Sequence, residues 1–185
     1  MNLNLGCGNK ILPGFVNVDK FNVYEVDIVH DLEVFPYPFE DNSVDIILLS
    51  HVLEHIGQTP DIFNNIIREL YRICKNDAKI EINVPHPRHD DFLADPTHVR
   101  PITYLGLSLY DQELNKQWEQ LNAANSPLGL IHKVNFKIEK HSAKLDPFFQ
   151  KKFENKEITR EEINDLALHN NNVLKETQFV WKVIK

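Results

Sequence analysis

The stretch Leu3-Asn4-Leu5-Gly6-Cys7-Gly8, answered by Val16-Asn17-Val18-Asp19, decides the fold of this chain. Residues 2–5 read as a short buried strand, the two glycines as a tight turn, and residues 16–19 as a second strand ending on a carboxylate. Glycine lets the backbone turn sharply and approach a ligand with no Cβ in the way. A carboxylate at the end of the second strand can accept both hydroxyls of a ribose, as in dinucleotide sites. Together they point to a nucleoside-containing cofactor at the carboxyl edge of a parallel sheet. The link over residues 9–15 is too short for a full crossover helix, which parallel strands normally need, and Pro13-Gly14 favours a turn. The first helix is therefore expected to be a single turn or absent.

Working outward, residues 25–29 read as a third strand ending at His30-Asp31, and residues 35–42, with Pro36 and Pro38, as an extended loop. The apolar run 44–49 is expected as a strand at the sheet centre. A helix follows with a clear start: Thr59 as N-cap, Pro60 at the first helical position, Asp61 in the first turn. Ile62, Phe63, Ile66, Ile67, Leu70 and Ile73 share one face at helical spacing and are read as core. A fifth strand is expected over 79–84, then a loop rich in His, Asp and Pro over 85–101, then a helix over 109–124. Residues 134–145 and 177–184 alternate as strands of a closing antiparallel hairpin. Between them, around 146–175, lies a helical insertion in which Thr159-Arg160-Glu161-Glu162 has the capping-box form.

The Leu-x-Leu-Gly-Cys-Gly pattern resembles motif I of the class I S-adenosylmethionine-dependent methyltransferases. Further segments follow in that family's order: 27–32, 35–47 and Ser50-His51-Val52-Leu53-Glu54-His55-Ile56. They are similar to the type 11, UbiE-like branch, over roughly the first half of the chain. The resemblance implies a Rossmann-like α/β fold: a seven-stranded, mostly parallel sheet with an antiparallel C-terminal hairpin and, here, a shortened first crossover. It implies S-adenosylmethionine as cofactor. Carried over residue by residue, Gly6, Cys7 and Gly8 lie at the methionine and ribose side, and Asp19, with Lys20 beside it, takes the ribose hydroxyls. Asp31 meets the adenine amino group, Leu32 lies beside the ring, and Ser50 and His51 flank the sulfonium. Asn4 departs from the acidic residue of most relatives: it keeps an acceptor and loses the charge. The family's Lys-Pro-Gly-Gly is replaced by Lys75-Asn76-Asp77-Ala78, in a loop read as structural.

At 185 residues the chain is read as one domain, 1–185, with 42% hydrophobic and 25% charged residues as in ordinary globular proteins. A net charge of −7 argues against nucleic acid as the main partner, and no apolar run is long enough to span a bilayer. Met1 leads directly into a core strand without a basic signal region, and neither Cys7 nor Cys74 suggests a disulfide framework, so a cytoplasmic location is expected. Monomer and homodimer both stay open.

Methyl transfer asks mainly for in-line positioning of donor and acceptor, and a hydroxyl acceptor also needs a base. His51 and His55 are the candidate catalytic bases, four residues apart after the fourth strand, with Glu54 alongside. His86, His89, Asp95 and His98, in the loop after the fifth strand, are the candidate acceptor contacts. Their spacing matches no zinc signature, and no metal is expected. The function expected is methyl transfer to a hydroxyl or amine of a small polar acceptor, a sugar among the candidates. The alternative is an inactive cofactor-binding or partner subunit. A nicotinamide enzyme is disfavoured because Ile11 stands where the third fingerprint glycine belongs.

Overall fold

The computed structural model describes all 185 residues. Strands β1 (Asn2–Leu5), β2 (Val16–Asp19), β3 (Ile28–Val29), β4 (Val44–Ser50) and β5 (Cys74–Pro85) pair in parallel. β6 (Phe136–Leu145) and β7 (Leu174–Val183) add the antiparallel half, giving one seven-stranded sheet in the order β3-β2-β1-β4-β5-β7-β6. This is the class I methyltransferase arrangement that the resemblance implied.

Among the connections between parallel strands, only β4 to β5 carries a helix, α1 (Pro60–Ile73). The expected short first crossover is a helix-free turn. The Thr59 hydroxyl accepts from Ile62 N, which satisfies one orphan donor, and Pro60 sits where no N–H is needed. Phe63, Ile66, Ile67, Leu70 and Ile73 are buried against the sheet. Each such side chain contributes roughly 1.5–3 kcal/mol on leaving water.

The other crossovers are held by polar side chains. Arg72, near the end of α1, donates to the Tyr37 and Phe39 carbonyls and pairs with Asp41 and Glu69. Glu69 in turn accepts from Tyr37 N at 2.6 Å. The segment between β3 and β4 is thereby tied to the helix, and its backbone groups find partners without regular structure.

Several boundaries differ from the sequence reading. β3 is only Ile28–Val29, because Glu25 takes a positive φ of 55° and breaks the extended run. β5 begins at Cys74, so Lys75 to Ala78 is strand rather than loop; Cys74 pairs with Val44, and the register shifts before Ile46. The helix expected over 109–124 is shorter, α4 (Gln112–Gln120); outside that span α3 (Tyr104–Ser108) precedes it, after a one-turn α2 (Asp90–Leu93). Asp111 separates α3 from α4 because its carboxylate caps α4, accepting from Glu113 N and Leu114 N. A short α5 (Leu128–His132) follows and ends on Lys133 in the left-handed conformation, so β6 starts at Phe136.

The hairpin completes the core: Trp181 stacks on Phe136 with centroids 4.2 Å apart, and Tyr110 meets its edge at 5.8 Å. The insertion between β6 and β7 holds α6 (Pro147–Glu154) and α7 (Arg160–His169), and both hydrogen bonds of the Thr159–Glu162 capping box are present. No helix is long and apolar enough to cross a membrane.

Replacing Arg72 with Ala strips partners from two loop carbonyls and Glu69, and is expected to cost about 1–3 kcal/mol in urea unfolding. Burial pushes the Glu69 carboxyl upward, but its hydrogen bonds from Arg72 and Tyr37 N outweigh that and hold it below the ordinary carboxylate range. Such a group contributes stability above its unfolded pKa and loses it as pH falls through the folded value. The stability gap between wild type and Glu69→Gln is therefore expected to be full at neutral pH and to close as the solution is acidified through the carboxylate range.

Candidate cofactor and active site

At the carboxyl ends of the parallel strands lies a cavity of about 620 Å³, a size suited to a nucleoside-containing ligand. Gly6, Asp19 and Lys20 form one wall, and Asp31, Leu32 and Glu33 the next. His51, Val52 and His55, with Pro96, Thr97 and Val99 of the loop after β5, close the rest.

The turn after β1 needs its glycine. Gly6 has φ +64°, and a Cβ there would come within 2.6 Å of Val52 Cγ2. Asp19 holds the turn: its Oδ2 accepts from Gly8 N at 2.9 Å and its Oδ1 from Phe21 N at 3.0 Å. A carboxylate has about four lone-pair sites, so Asp19 keeps capacity for a diol while it organises the loop. Asp31 likewise accepts from Glu33 N. The Tyr37 hydroxyl donates to the Leu32 carbonyl at 2.8 Å, which fixes the backbone beside the cavity. His30 also lines this wall, and its Nε2 is buried with no partner in the protein.

His51 directly follows β4 and has φ +56°, an uncommon conformation for a residue with a Cβ. Its imidazole lies between two carboxylates, Nδ1 3.4 Å from Glu54 Oε1 and Nε2 3.3 Å from Glu176 Oε2. The Glu54 contact raises the His51 pKa against the opposing effect of burial, and Glu176 adds to the rise. Glu54 itself is 0% exposed, and neither of its carboxylate oxygens has an aligned hydrogen-bond donor.

The tautomers of two other histidines follow from their partners. Thr97 Oγ1 lies 2.6 Å from Asp95 Oδ1 and 2.9 Å from His55 Nδ1. Hydrogen bonds from the Thr97 hydroxyl and amide hold the Asp95 carboxyl below the ordinary range, so it only accepts. The hydroxyl hydrogen thus goes to Asp95, His55 Nδ1–H donates to Thr97, and His55 Nε2 carries the lone pair. His98 Nδ1 is 2.8 Å from the Phe92 carbonyl, which also only accepts, leaving His98 Nε2 unprotonated when the ring is neutral.

Of the sequence candidates, Gly6, Asp19, Lys20, Asp31, Leu32, His51 and His55 line the cavity. Asn4, Cys7, Gly8 and Ser50 stand outside its lining. Asn4 is buried and donates to the Lys10 carbonyl and Asn17 Oδ1, which braces the turn from behind. Cys7 is buried, and burial, followed by the charge of Asp19, pushes its thiol pKa up. The acceptor candidates do not gather at this cavity. His89 is buried as the N-cap of α2, accepting from Asp91 N, with Asp146 3.3 Å from Nε2. His86 lines a separate cavity of about 360 Å³ with His141 and Phe179. Asp95 and His98 sit behind Thr97 and His55. The sequence reading missed Thr97, Glu33 and Gln58 as lining residues, since only the folding back of the loop brings 96–99 to the strand ends.

A seven-stranded sheet of this order, with a glycine turn after β1 and a carboxylate closing β2 at one cavity, is the fold of the class I S-adenosylmethionine-dependent methyltransferases. Residues 7–82 match a methyltransferase domain of type 11. No curated protein matches. Among solved structures, an S-adenosylmethionine-dependent methyltransferase from Archaeoglobus fulgidus is similar with TM-score 0.61 and 18% identity, over 98% of this chain and 85% of that one. Another from Methanosarcina mazei gives TM-score 0.57 and 13% identity, over 99% and 92%. The Burkholderia thailandensis 1,6-didemethyltoxoflavin-N1-methyltransferase, solved with bound 1,6-didemethyltoxoflavin and S-adenosylhomocysteine, gives 0.53 and 11%, over 100% and 71%. At these identities the structural likeness carries the fold.

Tyr37→Phe leaves the buried Leu32 carbonyl without its donor. The change is expected to cost about 1 kcal/mol of stability and to weaken S-adenosylhomocysteine binding several-fold, read by chemical unfolding and calorimetry.

Proposed function

We propose that the chain transfers a methyl group from S-adenosylmethionine to a hydroxyl or amine of a small polar acceptor. The observation that carries this reading is the placement of Asp19, Gly6, Asp31 and His51 around one cavity at the strand ends. The cavity fits the cofactor: Asp19 keeps acceptor capacity for ribose hydroxyls, Gly6 presents backbone without a Cβ, and His30 Nε2 lacks a partner near Asp31. The Asp19, Asp31 and Glu33 carboxylates also suit a ligand bearing a sulfonium cation. S-adenosylmethionine would supply a methyl group on a good leaving group, so the chain's own contribution is to orient the two partners.

His51, on the cavity wall, is the side chain that meets the acceptor and receives the proton when a hydroxyl reacts. We assign this role to His51 because the Glu54 and Glu176 carboxylates beside its ring stabilise the imidazolium that proton uptake creates. Thr97 and Pro96 border the acceptor side. The net charge of −7 supports a small acceptor over a nucleic acid.

Calorimetric titration with S-adenosylmethionine and S-adenosylhomocysteine, with NAD as control, tests the reading. Saturable binding of the first two alone is expected. Asp19→Ala should weaken both by about 10-fold or more, since two hydrogen bonds of roughly 1 kcal/mol each are lost; unchanged affinity would place the ribose elsewhere. His51→Gln should lower turnover about 100-fold or more on a hydroxyl acceptor while leaving S-adenosylhomocysteine affinity within a few-fold. Equal loss of both would remove His51 from the chemistry. Cofactor binding without turnover on any sugar, alcohol or amine would favour a binding subunit.

A further inference from the structure

Beside the cavity, Glu54, His55 and His98 each offer one donor atom, and these three atoms lie within 4.8 Å of one another. Two features set the cluster apart from a chance grouping. The first is Glu54, fully buried with both oxygens lacking an aligned donor. A buried carboxylate without a partner costs several kcal/mol, so such groups are paired with a cation or ligate a metal. Its nearest basic group, His51 Nδ1, lies 3.4 Å from one oxygen only.

The second feature is the orientation of the imidazoles. His98 donates Nδ1–H to the Phe92 carbonyl, and His55 donates Nδ1–H to Thr97, which Asp95 anchors. Metal-ligating histidines are held in this way, the far nitrogen donating to a carbonyl or a carboxylate-linked group so that the near one keeps its lone pair. The backbone adds rigidity: the Glu54 carbonyl accepts from Val99 N at 2.8 Å, which locks the helix-like turn after β4 to the loop that carries His98.

From this geometry we propose that Glu54, His55 Nε2 and His98 Nε2 bind a divalent ion of the zinc class. Two imidazoles and one carboxylate are a known zinc donor set that leaves a fourth position open. Tetrahedral zinc with bonds near 2.1 Å spaces its donors by roughly 3.4 Å, so small side-chain rotations close the cluster. Glu54 is fully buried and the His98 side chain is only 6% exposed, whereas His55 lines the cavity. The open position therefore faces the cavity, where water or an acceptor oxygen can enter. The ion would neutralise Glu54 and join the β4 edge to the loop around Thr97.

Chelator-treated full-length protein is titrated with Zn²⁺ by calorimetry and with Co²⁺ followed by visible absorption. One equivalent of tight Zn²⁺ and the intense d–d bands of low-coordinate Co²⁺ are expected. His98→Gln and Glu54→Gln should each weaken Zn²⁺ by about 100-fold or more, and Thr97→Val, which frees the His55 ring, by about 10-fold. His86→Ala, in the neighbouring loop, should bind as wild type. Failure of the wild-type protein to take up one equivalent, or uptake unchanged in a folded His98→Gln or Glu54→Gln, overturns the site. Should those variants not fold, the wild-type Co²⁺ spectrum decides alone, because an aquo-ion spectrum means no site. These readouts need neither cofactor nor turnover, so they stand or fall apart from the methyl-transfer reading.

Discussion

The cofactor edge of this protein depends on the side chain of Asn17. With no helix between β1 and β2, the short link must close a parallel pair through turns alone, and its backbone groups need partners. Asn17 supplies them: Oδ1 accepts from Leu12 N and Asn4, while Nδ2 donates to Leu12, Phe15 and Asp27. Asp27 also accepts from Asn17 N, and these bonds hold its carboxyl below the ordinary range. The network lies behind the glycine turn and sets where Gly6 and Asp19 meet. Asparagine at position 4 belongs to it, since its amide hydrogens are used inside the protein.

The same economy recurs on the other side of the site. Arg72 and Glu69 of α1 replace the structure that a helix between β3 and β4 would provide, and Tyr37, buried in that loop, reaches Leu32. Stability and cofactor geometry are thus coupled: the contacts that hold the loop to the helix also place Asp31 and Leu32. The antiparallel half has a different support. Its core is aromatic, with Trp181, Phe136 and Tyr110 in contact. That rigid hairpin presents Glu176 to His51 across the sheet edge.

Glu54 stands where these halves meet. Its backbone carbonyl receives the loop after β5, its carboxylate faces His51 just past β4, and His55 and His98 lie close by. A buried charge at such a junction is costly unless a cation completes it. The site chemistry is therefore concentrated in a few side chains whose positions come from three separate segments.

The parallel strands, the capped helix and the glycine turn beside Asp19 were legible because local signals carry them: alternation, a Thr-Pro start, paired glycines. The capping box at Thr159 was equally plain. Short-range order alone misjudged β3, where Glu25 adopts a positive φ, and started the helix after residue 108 too early, where a buried Asp111 turns inward to cap α4. The acceptor-side histidines show the limit most clearly. By itself the sequence determined the sheet class and the glycine turn after β1, because hydrogen-bonding period and glycine placement are properties of neighbours. Only the tertiary structure decided that His89 caps a helix, that His86 faces another cavity, and that His98 meets Glu54 and His55. Those outcomes depend on how a long loop packs back over the strand ends, which no local pattern encodes.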